Sequence, residues 1–97
     1  MVARVIWTRS AQADRRSILA YWRTRNGNSN YSLKLHARLR SAVNDLRRSP
    51  YLGRPSELEG IRQVVVGNYI VFYEAMPGFI IVHHIWDGRR DLPSLKF

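Results

Sequence analysis

Apolar and polar residues alternate between two regimes along this chain, and the change of regime divides it into a helical half and a sheet half. From Tyr31 the apolar positions Leu35, Leu39, Ala42, Val43 and Leu46 follow at steps of three and four, which predicts an amphipathic helix over about Ser29 to Arg48 with that stripe facing a core. Lys34, Arg38, Arg40, Arg47 and Arg48 fall on its other faces, and Ser49-Pro50 ends it. An earlier helix, about Ala11 to Arg25, carries Ala11, Ile18, Leu19, Tyr21 and Trp22 at helical spacing. Thr8 or Ser10 supplies its N-cap, and Asn26-Gly27-Asn28 stops it. A short strand around Arg4 to Trp7 precedes both helices.

After Gly60 the pattern shortens. Three apolar runs, Ile61 to Val66, Tyr69 to Met76 and Phe79 to Trp86, are separated only by Gly67-Asn68 and Pro77-Gly78. Connections that short permit only antiparallel neighbours, because a parallel crossover needs about a dozen residues or more. The runs therefore form a meander. Residues 51 to 60, with Gly53 and Pro55, read as an irregular loop leading into it. The expected fold is α+β: a short N-terminal strand, then a two-helix hairpin packed on an antiparallel sheet that ends in a three-strand meander. In the middle meander strand Tyr69, Val71 and Tyr73 share one side, and Ile70, Phe72 and Glu74 the other.

Composition then restricts the class. Ninety-seven residues, 45% of them hydrophobic, suit one domain over 1–97 with a modest core. Sixteen Lys and Arg against seven Asp and Glu leave a formal charge of +9, mostly arginine, which favours a polyanion or an acidic protein as partner. There is no cysteine, so disulfides and thiolate metal sites are excluded. No segment resembles a signal peptide or approaches the roughly 18 apolar residues of a membrane span, so the expected location is cytoplasmic, with no membrane partner.

Chemistry-bearing residues are few. His83 and His84 are the acid-base candidates; adjacent on a strand, they are expected to point to opposite faces and not to share a metal. Each has a structural role beside the core as its alternative reading. His36, on the second helix, has no partner in sequence, and Glu57 and Glu59 sit in the loop. Trp7, Trp22 and Trp86 read as core, with base stacking as the alternative if one is exposed. Arg89 and Arg90 form the densest charge just past the last strand, flanked by Asp87 and Asp91, which can hold them by local ion pairs. No Gly-rich phosphate loop, nucleophile elbow or metal-ligand spacing is present, and no cofactor or metal is expected.

Several segments taken in order resemble the RelE/ParE family of bacterial toxins: Ile6-Trp7-Thr8 with Ala11 and Asp14, Leu46 through Pro50-Tyr51-Leu52-Gly53-Arg54, Gly60-Ile61-Arg62, Tyr69-Ile70-Val71-Phe72-Tyr73, and Ile85-Trp86-Asp87-Gly88-Arg89-Arg90-Asp91. The resemblance implies the toxic half of a type II toxin-antitoxin operon, neutralised by an acidic antitoxin that wraps around it, with ParE-like poisoning of DNA gyrase or RelE-like cleavage of messenger RNA on the ribosome. RelE-like nucleases resemble one another in an arginine on the strand that here carries Ile70, and some place a histidine or tyrosine near the C-terminus, where this chain has Phe97. Both departures favour the ParE-like, non-enzymatic reading. An endoribonuclease is the alternative, with His83, His84 and Arg62 as its catalytic candidates. Arg89, Arg90 and Arg62 are the candidates for target binding. A third reading is a degenerate member that binds antitoxin without toxicity, suggested by Arg15, where relatives usually carry an apolar residue.

Overall fold

The computed structural model describes residues 2–89. Strand β1 (Arg4–Trp7) leads into helices α1 (Arg9–Asn26) and α2 (Asn30–Arg48), followed by β2 (Arg54–Pro55), β3 (Arg62–Val66), β4 (Tyr69–Met76) and β5 (Phe79–Asp87). The sheet order is β1-β5-β4-β3-β2. The meander β3-β4-β5 is antiparallel, as its two-residue turns require.

Two pairings go beyond the expected antiparallel sheet. β1 lies parallel to β5, Arg4 opposite Phe79 through Trp7 opposite Val82, so the sheet is mixed. The helical hairpin crosses from β1 to β2 at the opposite edge, and the strands β3, β4 and β5 then return across the sheet to lie beside β1. Residues Arg54 and Pro55, within the segment read as loop, add a two-residue strand against β3.

The helix ends follow local chemistry. Thr8 Oγ1 accepts the Ala11 amide at 3.1 Å and caps α1. Gly27, at φ 70°, takes the left-handed conformation that closes it, its N–H donating to Arg23 O at 3.0 Å. Leu35, Leu39, Val43 and Leu46 of α2 are buried against Tyr69, Val71, Tyr73, Ile80, Val82 and Ile85 of the sheet. Ile18, Leu19 and Trp22 of α1 pack on the margin of that core. Tyr21, assigned to the same stripe by spacing, is exposed.

The helices cover one face of the sheet. The opposite face carries Ile6, Val65, Met76 and Phe79, each at least 39% exposed, around Phe72, which is fully buried with its ring edge-on to Trp86 at 5.3 Å. Among the described residues no helix crosses that face, and none is long and apolar enough to cross a membrane.

Candidate functional site: the β5 bulge and the two ends of the sheet

Register slips by one residue where β4 meets β5: Phe72 stands opposite His84, but Tyr73 stands opposite Val82. His83 is the extra residue, a β-bulge in the middle of the last strand. The insertion changes the side-chain alternation on which the opposite-face expectation for His83 and His84 rested. His84 lies on the far face with Trp86, ring centroids 5.9 Å apart. His83 Nε2 meets Glu74 Oε1 at 3.1 Å, and Glu74 shares that face with Phe72. Both imidazoles therefore belong to the far face, a correction whose cause is the inserted residue.

β1 ends at Trp7, so beyond Val82 the edge of β5 has no strand beside it among the described residues. The start of α1 takes its place. Thr8 N–H donates to Val82 O at 3.1 Å, and Thr8 Oγ1 donates to His83 O at 3.0 Å. Six residues on, Asp14 Oδ2 accepts the Ile85 amide at 3.0 Å and meets His84 Nδ1 at 3.1 Å. A single carboxylate thus covers an edge donor and orients an imidazole. Asp14 was not singled out for this from composition or spacing; Ile85 is 71 residues away in the chain.

The arginine candidates occupy two separate places. At the end of β5, Arg89 forks onto Asp87, Nε to Oδ1 at 3.0 Å and Nη2 to Oδ2 at 2.8 Å, as the flanking aspartate suggested. Hydrogen bonding to Asp87, and after it the charge of that carboxylate, raises the Arg89 guanidinium further above its ordinary range. The guanidinium also sits 5.8 Å from the Trp22 ring, whose Nε1–H donates to Tyr69 Oη at 2.6 Å. Arg90, Asp91 and Phe97 lie outside the described residues.

Arg62 begins β3, four residues before Val66, which is level with Tyr69 and Asp87. That separates it from the Arg89 end by about 13 Å along the strand direction alone. Its Nε donates to Gly53 O at 2.8 Å, Nη2 to Tyr51 O at 3.3 Å, and its charge lies 5.2 Å from the Tyr51 ring. The same loop is held from beneath by Tyr73, whose hydroxyl donates to Pro50 O at 2.8 Å and accepts Gly53 N–H at 2.9 Å. Tyr51 and Leu52 nevertheless stay 72% and 60% exposed, so a fixed backbone presents two apolar side chains to solvent. Glu57 and Glu59 make no hydrogen bond or ion pair among the described residues; the carboxylates that meet the β5 histidines are Glu74 and Asp14.

The tryptophans divide by position. Trp7 and Trp22 border the helix-side core, and Trp86 belongs to the far face; all three keep part of their surface exposed. Among the described residues no group of three or more His, Cys, Asp or Glu could hold a metal ion.

A family model described as the ParE toxin of the type II toxin-antitoxin system, parDE, matches residues 5–92. The chain belongs to the ParE toxin family. Among solved structures, this ParE-family chain is similar to a chain of the chromosomal ParDE TA system from P. aeruginosa, at 24% identity and TM-score 0.75, with 87% of this chain and 94% of that chain covered. It is also similar to the toxin-antitoxin complex RelBE2 from Mycobacterium tuberculosis, at 20% identity and TM-score 0.64, covering 88% and 96%. At these identities the likeness is one of fold. No curated protein matches the sequence. The protein is thus a toxin of the ParE/RelE group, and the ParE match runs from within β1 through the end of β5.

Proposed function

We propose that this ParE-family toxin inhibits DNA gyrase and is held inactive by a cognate acidic antitoxin. The observation that carries the reading is the ParE family match over residues 5–92. Two features of the site support it. The middle strand carries Ile70 where RelE-like nucleases resemble one another in an arginine. Both β5 histidines are also engaged by carboxylates that the fold itself supplies, Glu74 and Asp14. A poison of this type needs a rigid, cationic contact surface, and proton transfer is no part of its action. The antitoxin half of the reading is supported by the two structural neighbours, a ParDE system and a RelBE2 toxin-antitoxin complex, and by the net charge of +9, which speeds encounter with an acidic chain.

One observation favours the second reading, a ribosome-dependent messenger RNA endonuclease. The bulge sets His83 and His84 on one face beside Glu74, which is closer to an acid-base arrangement than alternation alone allows. Expression in a host that lacks the antitoxin separates the readings. Gyrase inhibition produces filamentation and a DNA damage response with transcripts intact. Translation arrest with cut transcripts establishes the nuclease, and normal growth establishes an inert member.

A further inference from the structure

Where β1 passes beneath the two helices the surface opens into a cleft of about 270 Å³. Trp7 and Val43 line it, with Arg15, His36, Arg40 and Arg47 around it; among the described residues no acidic side chain lines it. The fold has already positioned two of the three guanidiniums. Arg15 lies 4.3 Å above the Trp7 ring. Arg47 donates from Nε to Ala3 O at 3.0 Å and from Nη1 to Asn44 Oδ1 at 3.1 Å, leaving its remaining donors directed elsewhere. Arg40 is exposed and makes no hydrogen bond or ion pair among the described residues. Cations converging without a counter-charge repel one another, and the fold gains nothing from that arrangement unless an anion joins it.

A lone carboxylate is satisfied by one guanidinium fork. Three arginines with a histidine match a ligand carrying several charges close together, which is the character of linked phosphates. The cleft also has an onward path: a second depression of about 390 Å³ shares His36 and continues along the helix pair beside Arg16 and Arg23, again with no acidic lining among the described residues. Seven residues of helix separate Arg16 from Arg23, and seven separate Arg40 from Arg47, a spacing of about 10 Å on each helix. A row of cations on that scale follows an extended chain and exceeds what a single small anion needs.

We propose that the cleft between α1, α2 and β1 is a binding site for a chain of linked phosphates, presented either by a nucleic-acid backbone or by a free polyphosphate. The site is separate from the Asp87–Arg89 fork and from the β5 histidines, and it does not depend on gyrase being the target.

The test measures binding of the purified full-length chain to two probes at 0.15 M ionic strength, chosen as about physiological: sodium tripolyphosphate by calorimetry and a fluorescein-labelled single-stranded oligodeoxynucleotide by anisotropy. Arg40→Glu is expected to weaken the bound probe by about tenfold or more, since a charge-assisted contact is lost and a repulsive one introduced. Arg40→Gln is expected to weaken it less. Arg25→Glu carries the same net charge as Arg40→Glu but lies at the far end of α1, and is expected to change affinity by no more than about twofold under that screening. The indole N–H resonance of Trp7 is expected to shift on binding. Binding of the oligonucleotide alone identifies a backbone as the source, and binding of tripolyphosphate alone identifies the free form. Equal losses in the two glutamate variants, an unmoved Trp7 resonance, no binding of either probe, or displacement of the bound probe by polyglutamate at lower concentration than by tripolyphosphate would overturn the proposal.

Discussion

The two faces of the sheet are made from the same strands and differ in almost every other respect. On the helix side Tyr69, Val71, Tyr73, Ile80, Val82 and Ile85 are closed over by α2 and α1, and the tyrosine hydroxyls are engaged. On the far side exposed Ile6, Val65, Met76 and Phe79 stand near two histidine–carboxylate pairs and a bulge. Burial on one side produces the folding energy. The other side keeps apolar surface in water and a break in strand register, both of which cost stability and gain meaning if a partner uses them.

The largest test of that division is Leu39→Ala. Leu39 is fully buried at the centre of the α2 stripe, so the change should destabilise by about 2 to 5 kcal/mol, whereas Val65→Thr on the far face should stay within about 0.5 kcal/mol. Thermal or urea unfolding of the pair reads the contrast, and similar midpoints for both would break it.

Gly53→Ala comes next. A Cβ there would lie 2.6 Å from Gln63 O and 2.7 Å from the Tyr73 hydroxyl, so the loop carrying Tyr51 must shift away from its anchor. The expected cost is about 1 to 3 kcal/mol, with Tyr51 released at the same time. Unfolding midpoints measure the first, and hydrogen exchange at the amide of residue 53, compared between the native chain and the variant, measures the second; retained protection would show that the loop does not depend on this close approach.

Asp14→Ala removes the acceptor that α1 offers to the edge of β5. Leaving the Ile85 amide without it should cost about 1 to 2 kcal/mol, and Asp14→Asn, which keeps an acceptor, should cost less. Equal effects from the two variants would mean that the charge on Asp14, and its contact with His84, matters more than the edge hydrogen bond.

These residues also show what the sequence displayed and what it did not. The α2 stripe, the Thr8 cap, the Gly27 stop and the two turns of the meander are written in neighbours within a turn of one another, so periodicity and capping chemistry reveal them. The parallel pairing of β1 with β5 joins residues about 75 apart, and the two-residue β2 has too little length to show a period. The bulge at His83 carries no glycine, and only the slip between Phe72 and Tyr73 discloses it. That one inserted residue moved a histidine to the other face. Separation of Arg62 from Arg89 likewise became visible only once strand register placed them toward opposite ends of β3.

The central claim is that this chain acts by inhibiting gyrase and not by cutting RNA. The most direct measurement is a supercoiling assay with purified toxin, run beside a cleavage assay on ribosome-bound messenger RNA, using the native chain and the His83→Gln and His84→Gln variants. Inhibited supercoiling with intact messenger RNA, retained by both histidine variants as long as they fold, is the predicted result. Codon-positioned cuts that disappear with either histidine change would contradict the account and assign the β5 bulge to catalysis.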